Sequence, residues 1–336
     1  MDVGIQVIFS SFGTDAPDSQ VYSEEIRLCL LAEDLGYDVV WPVEHHFNDY
    51  SFCPDNIQFL SYLAGRTSSI DLGTAAVILP WNEPLRVAEK IAMLDELSDG
   101  RVRFGMGRGL SRREYEPFRG IEMDESRGRF DEAAPMILEA LETGFIEGSG
   151  SFYPQPRTEL RPRPTRTFKG RTYAVANSAD SVEIAAEIGA RMIMFAERAW
   201  DSRMVGIQRY RDQFKEHHGL EAPPLLTCDF IYCDENAARG EELADQYLAS
   251  YLGSLLDHYE LMGEHFSKLV GYEGYGKNAE MMRAIGESGF LKGFKAANAY
   301  GTPDQILTSL ETRHKVLGSF EESTSFRFGG ISYENA

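Results

Sequence analysis

The chain has 336 residues, 43% of them hydrophobic and 26% charged, the profile of a globular protein with a sizeable core. Its formal net charge of −20 repels polyphosphate and so argues against nucleic acid as a partner. "MDVGIQVIF" enters a strand directly with no leader, no apolar run nears the ~20 residues that span a bilayer, and the four cysteines lack CxxC spacing. A cytoplasmic protein with reduced thiols and no membrane contact is expected.

Strand and helix signals alternate along the chain, the pattern of a parallel sheet with crossover helices. "GIQVIFS" reads as a strand, followed by a helix from about Ser23 to Gly36. "YDVVWPVEHH" is a second strand and "IDLGTAAVILP" a third, with a helix near 56–68 between them. Pro84 opens a helix that Gly100 closes, and "RVRFGMGRG" is the fourth strand. A helix with Phe130, Ala134, Ile137 and Leu141 inward, kinked if at all by Pro135, leads to a proline-rich insertion at 148–170. The one basic stretch, six Arg/Lys from Arg157 to Arg171, begins in that insertion and ends just past it, without the aromatic interleaving of a strand-binding groove. "TYAVANS", "MIMFA" and "LLTCDFIYC" follow as strands five to seven, and a long helix is expected over 236–262. A glycine- and tyrosine-rich segment, 263–300, precedes a helix from Pro303 and an eighth strand, "SFRFGG". Eight strands with intervening helices at this length predict a single (β/α)₈ TIM barrel, with active-site chemistry at the C-terminal ends of the strands.

Unusual residues collect at those ends. In "VVWPVEHHF" an apolar strand runs into Glu44, His45 and His46, where glycine or asparagine would serve to leave a strand. Metal ligation, a packed rim histidine and a proton-handling imidazole are the three readings. Alternation puts Glu44 and His46 on one face and His45 on the other, and neither HExxH nor a second His/Asp cluster completes a shell, so no metal is expected. Imidazole titrates near working pH, which favours proton handling. Alternating Gly105, Gly107 and Gly109 in "FGMGRG" is not a dinucleotide fingerprint, but lets a flat ligand approach backbone. Arg108 and Arg127 offer guanidiniums to a phosphate, and Ser178 and Ser181 offer hydroxyls at a helix start. Helix capping by Ser178, or by Asp180 with Glu183, explains the last segment equally well by itself.

"VEHHF", "LGTAAVILP", "PLRVAEKIAMLDELSDGRVRFGMGRG", "FRGIEMDESR", "YAVANSADSVEIAAEIG" and "YGTPDQI" stand in the order and spacing of a known family. From residue 1 to about 330 the chain resembles the bacterial luciferase-like flavin-dependent monooxygenases, the α subunit of bacterial luciferase in particular. The resemblance implies a TIM barrel with insertions at its C-terminal face. It implies a homodimer that takes reduced FMN (FMNH₂) from a separate NAD(P)H:flavin reductase. With O₂ such enzymes form a C4a-hydroperoxyflavin and oxygenate a small organic substrate, by hydroxylation or by Baeyer–Villiger or aldehyde oxidation.

Position by position, the resemblance makes His45 the catalytic histidine and Ala75–Ala76 a non-proline cis peptide against the flavin ring. It places Glu44, Met106, Gly107, Asn177 and Tyr251 around the cofactor, and Arg108, Arg127, Ser178 and Ser181 at its phosphate. Segment 263–300 corresponds to an active-site lid hinged at Gly271, Gly274 and Gly276. The chain departs from luciferase in having Gly107 for a reactive cysteine, Asn177 for a glutamate beside the ring, and Ala196 and Tyr251 for pocket tryptophans. Asp180 adds a negative charge near the phosphate, and "ISYENA" stops where relatives continue into a final helix, which is therefore expected to be absent. A deazaflavin-dependent oxidoreductase, a non-catalytic flavin-binding or partner subunit and a metal hydrolase barrel are the rival readings.

Overall fold

A computed structural model describes residues 1–269 and 271–336. Eight parallel strands form a closed barrel: β1 Val3–Val7, β2 Val39–Pro42, β3 Asp71–Gly73, β4 Val102–Gly107, β5 Thr172–Val175, β6 Arg191–Phe195, β7 Leu225–Phe230 and β8 Phe320–Ser325. Each pairs with its sequence neighbours, β1 pairs with β8, and β3 with β4 completes the ring. Such a barrel must fill its interior and cover its outside, so alternate residues go each way. Ile5, Val7 and Val40 face the helices, whereas Trp41, Tyr173, Ile193 and Cys228 fill the centre. The indole fits because β3 ends in glycine: a Cβ on Gly73 would lie 2.2 Å from Trp41 Cε3.

Ten α-helices accompany the strands among the described residues: α1 Asp18–Asp34, α2 Asn56–Ala64, α3 Pro84–Leu97, α4 Arg112–Tyr115, α5 Ser126–Thr143, α6 Ala179–Glu187, α7 Met204–His218, α8 Ala237–His258, α9 Glu273–Ala297 and α10 Pro303–Leu317. None is long and apolar enough to cross a membrane. The four cysteines are free. Capping explains several starts. Asp55 accepts from Gln58 N–H at the head of α2, Asn236 caps α8, and Thr302 with Gln305 forms a capping box ahead of Pro303.

Two readings of the sequence, the eighth strand and the start of the first helix, are corrected. The eighth strand is "FEESTS", not "SFRFGG", which begins at its last residue. Two adjacent glutamates disguise that strand, because their counter-charges come from distant sequence. Glu321 points into the barrel to Tyr173 Oη and Arg191, and Glu322 points out to Arg313 Nη1 at 2.8 Å. The first helix starts at Asp18, after Pro17, so Ser23 lies inside it. Ser178 and Ser181, not Asp180 and Glu183, form the capping box of α6. The 148–170 insertion overlaps a hairpin, Phe145–Gly148 against Gln155–Glu159, and arginines of the basic stretch meet carboxylates: Arg171 with Asp95 at 2.7 Å and Arg166 with Asp99 at 2.6 Å. Beyond β8, residues 326–336 contain one 3₁₀ turn, Tyr333–Asn335, and no α-helix.

Glu33 ties α1 to the loop before β3. Its Oε1 accepts from the N–H groups of Ser68, Ser69 and Ile70 at 2.8, 2.7 and 3.1 Å. Its slight burial works the other way, but these donors lower its pKa from 4.5 to about 2. A carboxylate favoured in the folded state stabilises above the unfolded pKa and loses that stabilisation as pH falls through the folded one. Glu33→Gln is therefore expected to lower stability near neutrality by ~1 kcal/mol, a figure kept small for solvent screening. The gap to wild type should close as pH drops from 4.5 toward about 2. Urea midpoints across that window measure it, and a gap independent of pH would refute the assignment.

Candidate active site

One cavity of ≈ 170 Å³ opens at the C-terminal ends of the strands. Of the residues anticipated from sequence, Glu44, His45, Ala75, Ala76, Gly107, Arg108, Asn177, Ser181 and Tyr251 line it. Met106, Arg127 and Ser178 do not. Met106 follows strand alternation outward into the core between barrel and helices, so its side chain cannot reach the mouth.

β2 ends at Pro42, two residues before Glu44, yet the sides of the acid and histidines still alternate. His46 packs among Trp81, Phe118 and Phe47, with its Nε2 3.6 Å from Glu44 Oε1. His45 faces the cavity instead. Its Nδ1 lies 2.9 Å from Glu114 Oε1, which also accepts the His46 N–H at 2.8 Å. Burial alone would raise the Glu114 pKa, but His45 beside it and the buried His258 hold the carboxyl well below its ordinary value. An ionised carboxylate only accepts, so Nδ1 carries the proton and Nε2 is left facing the Tyr259 hydroxyl at 3.2 Å. Glu114 thus orients the ring and fixes its tautomer. His258 stacks on Tyr50, 4.5 Å between centroids, and burial lowers its pKa against the pull of Glu114. Tyr50 and Tyr251 join hydroxyls at 2.8 Å, and burial pushes Tyr50 up to about 12, so it stays protonated.

The wall opposite is small by construction. Ala75–Ala76 is a cis peptide between β3 and its continuation, Val77–Ile78. Gly107 presents no side chain there; a Cβ would stand 2.9 Å from Ile78 Cδ1 and 3.4 Å from Ala76 Cβ. Gly105 serves another purpose. Its missing Cβ admits the Thr74 carbonyl, which a Cβ would meet at 2.0 Å, so only part of the glycine alternation belongs to the cavity. Glu44 braces this wall, accepting from Ile78 N–H at 3.0 Å, Trp81 Nε1 at 2.6 Å and Asn82 Nδ2 at 3.0 Å. Its carboxylate is committed to the frame.

At one edge the cationic groups meet. Arg108 donates to the Gly271 carbonyl at 2.8 Å and stacks over Tyr272, and a Cβ on Gly271 would lie 2.9 Å from Arg108 Nη1 and 3.3 Å from Arg127 Cβ. Arg127 pairs with Asp131 at 2.8 Å and with Asp180 at 3.3 Å, so the negative charge noted near the phosphate contacts is paired with one of the two arginines. That pair brings the start of α6 to the same corner. Across the mouth lies segment 263–300: a 3₁₀ turn, His265–Lys268, then α9, whose Tyr275, Ala279, Met282, Phe290 and Phe294 line the cavity. Gly274 and Gly276 lie inside α9, but Gly286 breaks it with φ 68°.

Sequence reasoning missed Glu114, His258, Tyr259 and Tyr50. Glu114 sits in "SRREYE", which reads as a solvated charged run, and the other three reach the mouth only through tertiary packing. Glu197 was also missed, although it lies just past β6, where the strand-end rule would have flagged it.

At the C-terminal mouth of the TIM barrel, one cavity brings together a histidine oriented by a glutamate, a cis peptide wall and a cationic edge. The chain belongs to the luciferase-like monooxygenase family, whose model matches residues 1–319. It is 26% identical to an alkanal monooxygenase alpha chain of Photorhabdus luminescens, over 91% of this chain and 85% of the relative. Among solved structures, monooxygenase RslO1 from Streptomyces bottropensis superposes with TM-score 0.80 at 25% identity, covering 100% of this chain and 95% of that one. The oxygenating constituent of 3,6-diketocamphane monooxygenase of Pseudomonas putida, in complex with FMN, shares the fold with TM-score 0.74 at 14% identity, over 100% of this chain and 93% of that one.

Proposed function

We propose that this protein is a monooxygenase that takes reduced FMN from a separate NAD(P)H:flavin reductase and oxygenates a small organic substrate. The observation that carries this reading is the juxtaposition, in one cavity, of His45, the Ala75–Ala76 peptide, the bare Gly107 backbone and Arg108. A flat ring system needs a wall without side chains, and a phosphate needs a guanidinium at its edge. When bound, FMNH₂ supplies the electrons that activate O₂.

The chain's own residues do the rest. Arg108 exchanges the Gly271 carbonyl for phosphate oxygen, and the N–H groups at the start of α6 add to that anion site. A volume of ≈ 170 Å³ is below the ~300–1,000 Å³ typical of ligand pockets, so the segment from Gly271 to Tyr275 moves off Arg108 to admit the cofactor. Its return, with Phe290 and Phe294, excludes water. His45 Nε2 handles the proton, held in register by Glu114.

Titration with FMN, oxidised and reduced, is expected to give a saturable complex, and aerobic mixing of the reduced complex with candidate substrates to incorporate one oxygen atom from O₂. Failure to saturate with either form would defeat the reading. Hydride transfer without O₂, using a reduced deazaflavin, would replace it.

A further inference from the structure

Most charged groups on the cavity lining are already engaged. Glu44 holds the wall, Glu114 holds the two histidines, and Arg108 is held by Gly271 and Tyr272. Glu197 is the exception. It follows β6 by two residues, lines the cavity and is only partly buried. Its side chain has no hydrogen-bond or ion-pair partner among the described residues. The guanidinium that would be its natural partner, on Arg203, is spent on the Phe195 carbonyl and on Asn177 Oδ1 at 2.6 Å. Burial accordingly pushes the carboxyl above its ordinary range, against the pull of Arg203 and Arg198.

A second polar group shares this isolation. Tyr275, on the segment across the mouth, lines the same cavity, and its hydroxyl has no partner among the described residues. Phe230, Leu252, Met282 and Phe294 make much of the remaining surface apolar. An unpaired carboxyl in apolar surroundings is costly, and the cost is removed when a ligand supplies the missing donor. A site organised in this way discriminates strongly against an analogue lacking that donor.

We propose that Glu197 is the substrate-recognition residue of this cavity, accepting an O–H or N–H from a substrate whose remaining skeleton is apolar, with the Tyr275 hydroxyl closing on the same polar head. The assignment rests on the monooxygenase reading only in calling that ligand the substrate. It places the polar head beside β6 and leaves the apolar body against α8 and α9. An unsubstituted alkyl chain gains nothing from Glu197, so the preferred substrates are hydroxylated or aminated compounds.

Calorimetric titration of the full chain, with and without saturating FMN, tests this with three probes of matched shape: para-propylphenol, its methyl ether and para-propylbenzylamine. Wild type should bind the phenol or the amine at least ~10-fold more tightly than the ether, and the tighter of the two identifies a hydroxyl or an ammonium as the natural head. Glu197→Leu should abolish the preference. Glu197→Gln, which keeps a carbonyl acceptor but no charge, should retain it for the phenol and lose it for the amine. Equal affinities in the wild type, no measurable binding of either donor, or a preference that survives in Glu197→Leu would overturn the proposal. FMN binding is read on the same samples. A missing FMN complex with the donor preference intact would count against the flavin reading alone, and the reverse result against Glu197 alone.

Discussion

Replacing His45 by alanine is expected to leave FMN affinity intact while lowering product formation by roughly 10²–10⁴-fold, the usual worth of a positioned acid–base group. In single turnovers, the O₂ consumed should appear as free hydrogen peroxide instead of oxygenated product. The separation of binding from chemistry follows from geometry. His45 touches the cavity through a ring whose other nitrogen is held by Glu114 at 2.9 Å, and it is not part of the cationic edge. Glu114→Gln should act in the same direction but less severely, because an amide oxygen still accepts from Nδ1–H while the charge that favours this tautomer is gone. Unchanged product yield in His45→Ala would remove the imidazole from the mechanism.

The second large effect is expected at Arg108. Its guanidinium makes one hydrogen bond to Gly271 and stacks on Tyr272, partners that a phosphate can displace without stranding a buried charge. Arg127 is differently placed, held by Asp131 and Asp180. Arg108→Ala should therefore weaken FMN by ~10–100-fold, from the ~1.5–3 kcal/mol of a charge-assisted hydrogen bond. Riboflavin, which lacks the phosphate, should be nearly unaffected. Arg127→Ala should cost clearly less than Arg108→Ala. Fluorescence titration of both ligands against both variants measures this, and equal losses for FMN and riboflavin would put the phosphate elsewhere.

The (β/α)₈ architecture was legible in the chain because seven strands carry apolar runs and their helices carry periodic apolar faces. The mouth was legible too: "VEHHF", "TAAV" and "GMGRG" are odd residues at equivalent strand ends. The eighth strand failed because its signal depends on partners that no window contains. "FEESTS" reads as polar until Arg191 and Arg313 neutralise Glu321 and Glu322 from β6 and α10. The alternating glycines were read as one feature, whereas Gly105 yields to the Thr74 carbonyl and Gly107 to the cavity.

The sequence by itself determined the period of burial, and with it the barrel, the strand ends and the family. Tertiary structure alone decided which polar groups are spent and which are free, since that depends on what distant segments bring to the same point. His45 and His46 are neighbours in the chain, but one is packed among aromatic rings and the other is aimed at the cavity by a glutamate 69 positions away. Glu44, Glu114 and Glu197 are equivalent as letters. Folding binds the first to the frame, gives the second to an imidazole and leaves the third open to the cavity, because hydrogen-bond satisfaction is a property of three-dimensional neighbours and not of sequence.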